Sequence, residues 1–151
     1  MIGLMGKSQV SVDAKGRVLL PAKYRKLLPD DLVVTKSADE QLASLAIYPP
    51  DGFEQWMNSV LEAKGGYSAN SRQMADLIEE FYANAEQVTV DTAGRVLLPA
   101  ALREYAAIDK EIVITGARDH LMLRSPDTWQ AQQDRPKPSI FDDAASSVTA
   151  P

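Results

Sequence analysis

Val10-Ser-Val-Asp-Ala-Lys-Gly-Arg-Val-Leu-Leu-Pro-Ala-Lys-Tyr-Arg25 returns 78 residues later as Val88-Thr-Val-Asp-Thr-Ala-Gly-Arg-Val-Leu-Leu-Pro-Ala-Ala-Leu-Arg103. A period this clear means that one supersecondary unit is used twice. In each copy the valines alternate with polar residues (Val10 and Val12, Val88 and Val90), the period of a half-buried strand. A tight turn follows in Asp13-Ala-Lys-Gly16 and Asp91-Thr-Ala-Gly94. Asp opens it by accepting backbone N–H groups, and Gly closes it where φ must be positive. Arg17 and Arg95 begin the return strands. Pro21 and Pro99 suit the first turn of a helix, and Ala22 to Leu28 and Ala100 to Tyr105 supply helix formers.

The correspondence extends beyond these stretches. Leu32-Val-Val-Thr35 matches Ile112-Val-Ile-Thr115, and Leu45-Ala-Ile47 with Pro50-Asp51 matches Leu121-Met-Leu123 with Pro126-Asp127. Each block therefore predicts strand, turn, strand, helix start and two further strands, over residues 7–51 and 85–128. A block of that size is too small to bury a stable core alone, so the two close one sheet assembly between them. Between them, in residues 52–84, Phe53, Trp56, Met57, Val60 and Leu61 fall at helical spacing, and so do Met74, Leu77, Ile78, Phe81 and Tyr82. Lys64-Gly-Gly-Tyr-Ser68 separates the two helices, with Ser68, Asn70 or Ser71 as the second cap. These stripes read as core or subunit contacts, and Trp56 as a packing residue. A shorter helix with Trp129 starts near Pro126. Residues 134–151, rich in Pro and Ser and poor in apolar side chains, read as a disordered tail.

Composition excludes several classes. There is no Cys, so disulfides, thiolate metal sites and a cysteine nucleophile are out, and a reducing cytoplasm fits best. Residues 1–9 lack the pattern of a signal peptide, and the longest apolar run, residues 96–102, is far short of a bilayer span, so no membrane is expected. His120 is the only His, and no Asp/Glu spacing suggests a metal site; a structural or exposed role is expected for it. No nucleophile elbow, Walker loop or dinucleotide fingerprint occurs, so neither catalytic residues nor a cofactor are expected.

The net charge of −5 argues at first against nucleic acid. Divided by segment it does not: residues 1–27 carry +5, residues 88–105 are neutral, and the remainder holds −10. The cations cluster on the first repeat, with Lys15, Arg17, Lys23, Arg25 and Lys26; the second has Ala93, Ala101 and Glu104 where the first has Lys15, Lys23 and Lys26. Two matched tips, each with an Arg after the turn glycine, suit a phosphate backbone or a groove, since a two-stranded ribbon fits the major groove and Arg can bridge guanine O6 and N7. The residues alone also allow Arg17 and Arg95 to pair with Asp13 and Asp91 across the hairpin. The two Asp are read as turn formers rather than catalytic carboxylates. Arg25 and Arg103 could be solvated, bridge subunits or, with Lys23, contact phosphate.

Asp13-Ala-Lys-Gly-Arg17-Val-Leu-Leu-Pro21 and Asp91-Thr-Ala-Gly-Arg95-Val-Leu-Leu-Pro99, in one short chain with a helical insert, resemble the MraZ family of bacterial transcription regulators. Each block is similar to the SpoVT/AbrB DNA-binding domain. The resemblance spans about residues 4–130. It implies an α+β fold in which two tandem repeats form a swapped-hairpin β-barrel, with helices between and after them. It also implies a ring-shaped homo-oligomer that binds double-stranded DNA at tandem direct repeats in the promoter of the cell-division and cell-wall gene cluster, a cytoplasmic, nucleoid-associated role. Arg17 and Arg95, with Lys15, are then the DNA contacts. The alternative is a non-enzymatic interaction scaffold or antitoxin-like module, which indifference to DNA at low salt would favour.

Overall fold

The computed structural model describes residues 3–39, 41–65 and 71–136. The first repeat supplies β1 (Lys7–Ser11), β2 (Arg17–Leu19), α1 (Ala22–Arg25), β3 (Asp31–Lys36) and β4 (Leu45–Tyr48). Two helices follow, α2 (Pro50–Ala63) and α3 (Arg72–Ala83). The second repeat supplies β5 (Ala85–Thr89), β6 (Arg95–Leu97), α4 (Ala100–Tyr105), β7 (Glu111–Gly116), β8 (Leu121–Arg124) and α5 (Pro126–Asp134). The order of elements is therefore the same in both copies, as the duplicated sequence requires.

Only β3–β4 and β7–β8 pair within a copy; the other ladders run between copies. Six strands form one antiparallel sheet in the order β1-β7-β8-β4-β3-β5, and β2 and β6 form a separate two-stranded ribbon. β1 pairs with β7 so that Val10 faces Ile112, and β5 pairs with β3 so that Val88 faces Leu32. These two pairs are equivalents under exchange of the repeats. Val18 lies opposite Val96 in the ribbon and Ala46 opposite Met122 in the sheet centre, so an approximate twofold axis runs through both pairs. The ladders do not close into a barrel: β1 and β5 remain the edges of the large sheet, because the turn after Val12 leaves β1 and β2 a single bridge, Val12 to Val18.

The sheet has two apolar faces, as alternation in a buried strand demands. Leu32, Val34, Leu45, Ile47, Ile112, Ile114, Leu121 and Leu123 point toward the ribbon and pack with Val18, Leu20, Val96, Leu98, Tyr24 and Leu102 into one core shared by both repeats. Val33, Ala46 and Tyr48 point the other way and are covered by Phe53 and Trp56 of α2. β4, in the middle of the sheet, is buried on both sides. The helical insert thus lies on the face of the sheet opposite the ribbon.

The stripe of α2 is deeply used, with Phe53, Met57 and Leu61 buried. The stripe of α3 is only half-covered. Phe81 meets Trp56 edge-on at 5.0 Å and Tyr82 meets Phe53 at 5.1 Å, so α3 packs on α2 rather than on the core. Ser71 is the α3 cap, its hydroxyl accepting from the Met74 N–H; of the other two expected caps, Ser68 and Asn70 fall outside the described residues. α1 stops at Arg25, and the chain continues as a turn in which the N–H groups of Leu27 and Leu28 both reach the Tyr24 carbonyl before Pro29 bars Leu28 from the helical region. The expected disordered tail lies outside the described residues from position 137. Before that point the chain is anchored: Asp134 ends α5, and Arg135 forms an ion pair with Asp39 at 2.8 Å.

Candidate nucleic-acid interface

Each hairpin tip is built by its aspartate. One oxygen of Asp13 accepts the backbone N–H groups of Lys15 (2.9 Å) and Arg17 (2.8 Å), and the other takes the Arg17 Nε–H at 2.8 Å. Asp91 repeats this with Ala93, Arg95 and the Arg95 Nε–H at 2.9, 2.8 and 2.9 Å. Both carboxyls are held below the usual carboxylate range, chiefly by the backbone N–H of the arginine, with its guanidinium adding to the effect. The arginine–aspartate pairing that the residues allowed is therefore present. It engages each guanidinium through Nε, on the side nearest its own backbone.

Gly16 and Gly94 adopt φ of +87° and +86°, the left-handed region that side chains avoid. They are also buried, and what buries them comes from the other repeat. A Cβ on Gly16 would sit 2.6 Å from Cζ of Arg103, and one on Gly94 would collide with the guanidinium of Arg25. The Arg103 Nε–H donates to the Leu98 carbonyl at 2.9 Å. The Leu98 N–H donates to the Gly16 carbonyl and the Leu20 N–H to the Gly94 carbonyl, both at 3.0 Å. Each tip is thus tied to the other repeat by a backbone bond and roofed by an arginine from the helix after the other ribbon strand.

This bracing was not visible in the residue pattern. One signal pointed to it: among the cations of the first repeat's tip and helix start, Arg17 and Arg25 have basic counterparts in the second, whereas Lys15, Lys23 and Lys26 do not. Lys15 is exposed at the first tip. Lys23 is drawn away from it, its ammonium lying over the Tyr24 ring at 5.1 Å and against Gly6.

The ribbon has an outer face of its own. Val18 and Val96 are fully buried beneath it, so alternation turns Arg17, Leu19, Arg95 and Leu97 outward. Leu19 and Leu97 are 53% and 52% exposed, the most exposed leucines of the described residues. Register places Arg17 opposite Leu97 and Leu19 opposite Arg95. The two arginines therefore occupy one diagonal of a four-residue patch and the two leucines the other.

His120 lies on the far face of the sheet. Its ring stacks on Tyr48 at 4.7 Å and its Nδ1 pairs with Asp119 at 2.7 Å, where it lines a half-open cleft of about 400 Å³ with Trp56, Asp39 and Met122. Burial pushes the Tyr48 phenol well above its ordinary value, with the Asp119 charge adding to it. Among the described residues, no cluster of three or more His, Asp or Glu is placed to hold a metal, and no helix is long and apolar enough to cross a membrane.

The family model described as MraZ protein matches the chain twice, over residues 4–74 and 81–149. The Transcriptional regulator MraZ of Acetivibrio thermocellus is 35% identical over 127 residues, 83% of each chain. That of Natranaerobius thermophilus is 33% identical over 145 residues, 95% of each, and that of Lactiplantibacillus plantarum 34% over 144 residues, 95% of this chain and 96% of the relative. A solution structure of PHS018 from Pyrococcus horikoshii aligns at a TM-score of 0.35 and 14% identity over 80% of this chain and 87% of that one, too slight a likeness to bear on the fold. With two matches covering most of its length and relatives above 30% identity across more than four-fifths of it, this chain belongs to the MraZ family.

Proposed function

We propose that the chain is a sequence-specific DNA-binding transcriptional regulator whose β2–β6 ribbon enters the major groove. The observation that carries this reading is the outward diagonal of Arg17 and Arg95 on a two-stranded ribbon whose tips are braced from both repeats. A ribbon of this kind has the width the groove accepts, and a guanidinium held at Nε keeps its terminal nitrogens as the donor pair for guanine O6 and N7 or for phosphate. Lys15 adds a phosphate contact at the first tip. Arg25 and Arg103 act first as braces, and with Lys23 they supply secondary phosphate contacts. Asp13, Gly16, Asp91 and Gly94 set the tip shape.

In this reading residues 7–51 and 85–128 are the two SpoVT/AbrB-like repeats, with 52–84 as the helical insert, and the ribbon and the six-stranded sheet are an open, strand-exchanged relative of the swapped-hairpin barrel. One subunit offers few cations. A homo-oligomeric ring on tandem promoter repeats of the cell-division and cell-wall gene cluster gains affinity through avidity, in the cytoplasm at the nucleoid. A mobility-shift titration on that promoter DNA tests the proposal, with the mass of the assembly measured in parallel. Arg17→Ala and Arg95→Ala should each weaken binding by roughly 5- to 150-fold, for a bidentate contact worth ~1–3 kcal/mol, without changing the assembly mass. Wild-type affinity in both variants overturns the groove mechanism, and no binding at low salt favours the antitoxin-like scaffold instead.

A further inference from the structure

The ribbon's outer patch contains two leucines that nothing so far explains. They come from equivalent positions of the two repeats and stay more than half exposed although the chain has an ample core. Neither tip bracing nor turn formation uses them. A burial-driven role would point them inward, yet Val18 and Val96 already fill the inward positions completely.

We propose that Leu19 and Leu97 are base-reading residues, each packing on the 5-methyl group of a thymine in the major groove beside the bases contacted by Arg95 and Arg17. This rests on the DNA-binding reading above and adds what the site selects. The dimensions fit. Residues two apart on a strand are ~6.8 Å apart and cross-strand neighbours ~5 Å, so the patch spans about two base-pair steps at ~3.4 Å each. Each leucine stands directly opposite an arginine across the ladder. A guanidinium that fixes a guanine therefore seats a leucine at a neighbouring base, where an apolar group distinguishes thymine from cytosine by its methyl alone. The flanking charges identify the occupant: Asp13 and Asp91 each offset one of the arginines they hold, but Lys15 and the roofing Arg25 and Arg103 leave the two tips with five cations against two acids, which matches an anionic duplex and opposes burial against a second identical ribbon. Because the twofold axis passes between Val18 and Val96, the core of the recognised site is close to symmetric. Lys15, with Ala93 as its counterpart, gives it a direction.

The test begins by selecting duplexes from a random-sequence library with the full-length protein. The best duplex is then resynthesised with deoxyuridine for every thymidine, which removes the methyl groups and leaves every hydrogen-bonding edge in place. The wild-type protein should bind the uracil duplex roughly fifteenfold more weakly, at about fourfold for each of the two buried methyls. The Leu19→Ala/Leu97→Ala variant should bind the two duplexes within about twofold of each other, with melting temperature and assembly mass unchanged. Equal binding of both duplexes by the wild type overturns the inference while leaving the DNA-binding reading intact. Loss of assembly in the double variant reassigns the leucines to contacts between copies and also overturns it. Failure to enrich any sequence removes the DNA-binding reading itself.

Discussion

Replacing Gly16 by Ala tests the tip's architecture at its most constrained atom. Two effects add. At φ of +87° an L side chain costs ~1–2 kcal/mol against the adjoining carbonyl. The new Cβ would also stand 2.6–2.7 Å from three atoms of the Arg103 guanidinium. That group is the end of a flexible chain and can swing clear, so repulsion itself is cheap. What is lost is its contact with the turn and its 2.9 Å bond to the Leu98 carbonyl, a charged-donor bond of the kind worth ~1.5–3 kcal/mol when shielded and less here, where Arg103 is half-exposed. The expected total is about 2–4 kcal/mol, or roughly 5–15 °C in melting temperature for a chain of this size. Urea unfolding with an unchanged slope measures it directly. The decisive measurement repeats the substitution in an Arg103→Ala background, where only the backbone cost should remain, leaving a coupling of at least ~1 kcal/mol. If Gly16→Ala costs the same in both backgrounds to within ~0.3 kcal/mol, the arginine roof contributes nothing and the bracing described above is wrong.

Ala107 ends α4 with φ of +53°, and the N–H groups of Ala107 and Ile108 reach back to the carbonyls of Glu104 and Arg103, the pattern of a left-handed helix stop. Ala107→Gly should therefore stabilise by ~0.5–1 kcal/mol and raise the melting temperature by ~1–4 °C. The Arg135 guanidinium, aided by the N–H groups of Leu42 and Gln41, holds Asp39 down to about 2 against the opposing effect of burial. A depressed carboxyl contributes stability above its unfolded value of ~3.9 that disappears as pH falls toward its folded value. The melting-temperature gap between wild type and Arg135→Ala should accordingly be constant above pH ~5 and close between pH ~4 and 2. For DNA binding, Lys15→Ala should lower the slope of log affinity against log salt by ~0.9, and Ala93→Lys should raise it by about as much.

Element identity was legible in the residues because it is local: valine alternation, Asp-x-x-Gly turns and Pro at helix starts act over a few positions, and all recur in both copies. Partner choice was not. Val10 and Val88 carry the same alternation, and nothing in it says that Val10 faces Ile112 of the other repeat rather than Leu32 of its own. The exchange follows from the tip: a turn starting at Asp13 leaves β1 and β2 a single bridge, so each strand must find its ladder elsewhere. The site was half legible for the same reason. Arg17 and Arg95 follow their turns in sequence, but the arginines that roof those turns lie in the other repeat, and only their retention in both copies hinted at a shared task. The exposed leucines were hidden within an apolar run that reads as core throughout; the three-residue strand turns its middle residue inward and the outer two away.

The acidity of the chain also takes on a spatial meaning. Residues 28–87 carry a net charge of −8, and α2 and α3 hold six of those acids on the face of the sheet opposite the ribbon. The positive first repeat and the negative insert are thus separated by the thickness of the core. At physiological salt the Debye length is ~8 Å, less than the ~10 Å between packed layers, so the insert's charge is largely screened at the ribbon while the local cations act at contact distance. A duplex approaching the acidic face meets repulsion, and one approaching the ribbon meets Lys15, Arg17 and Arg95. Net charge of this sign therefore orients the encounter rather than preventing it, and lowering the salt should sharpen the discrimination between the two faces as well as raise affinity.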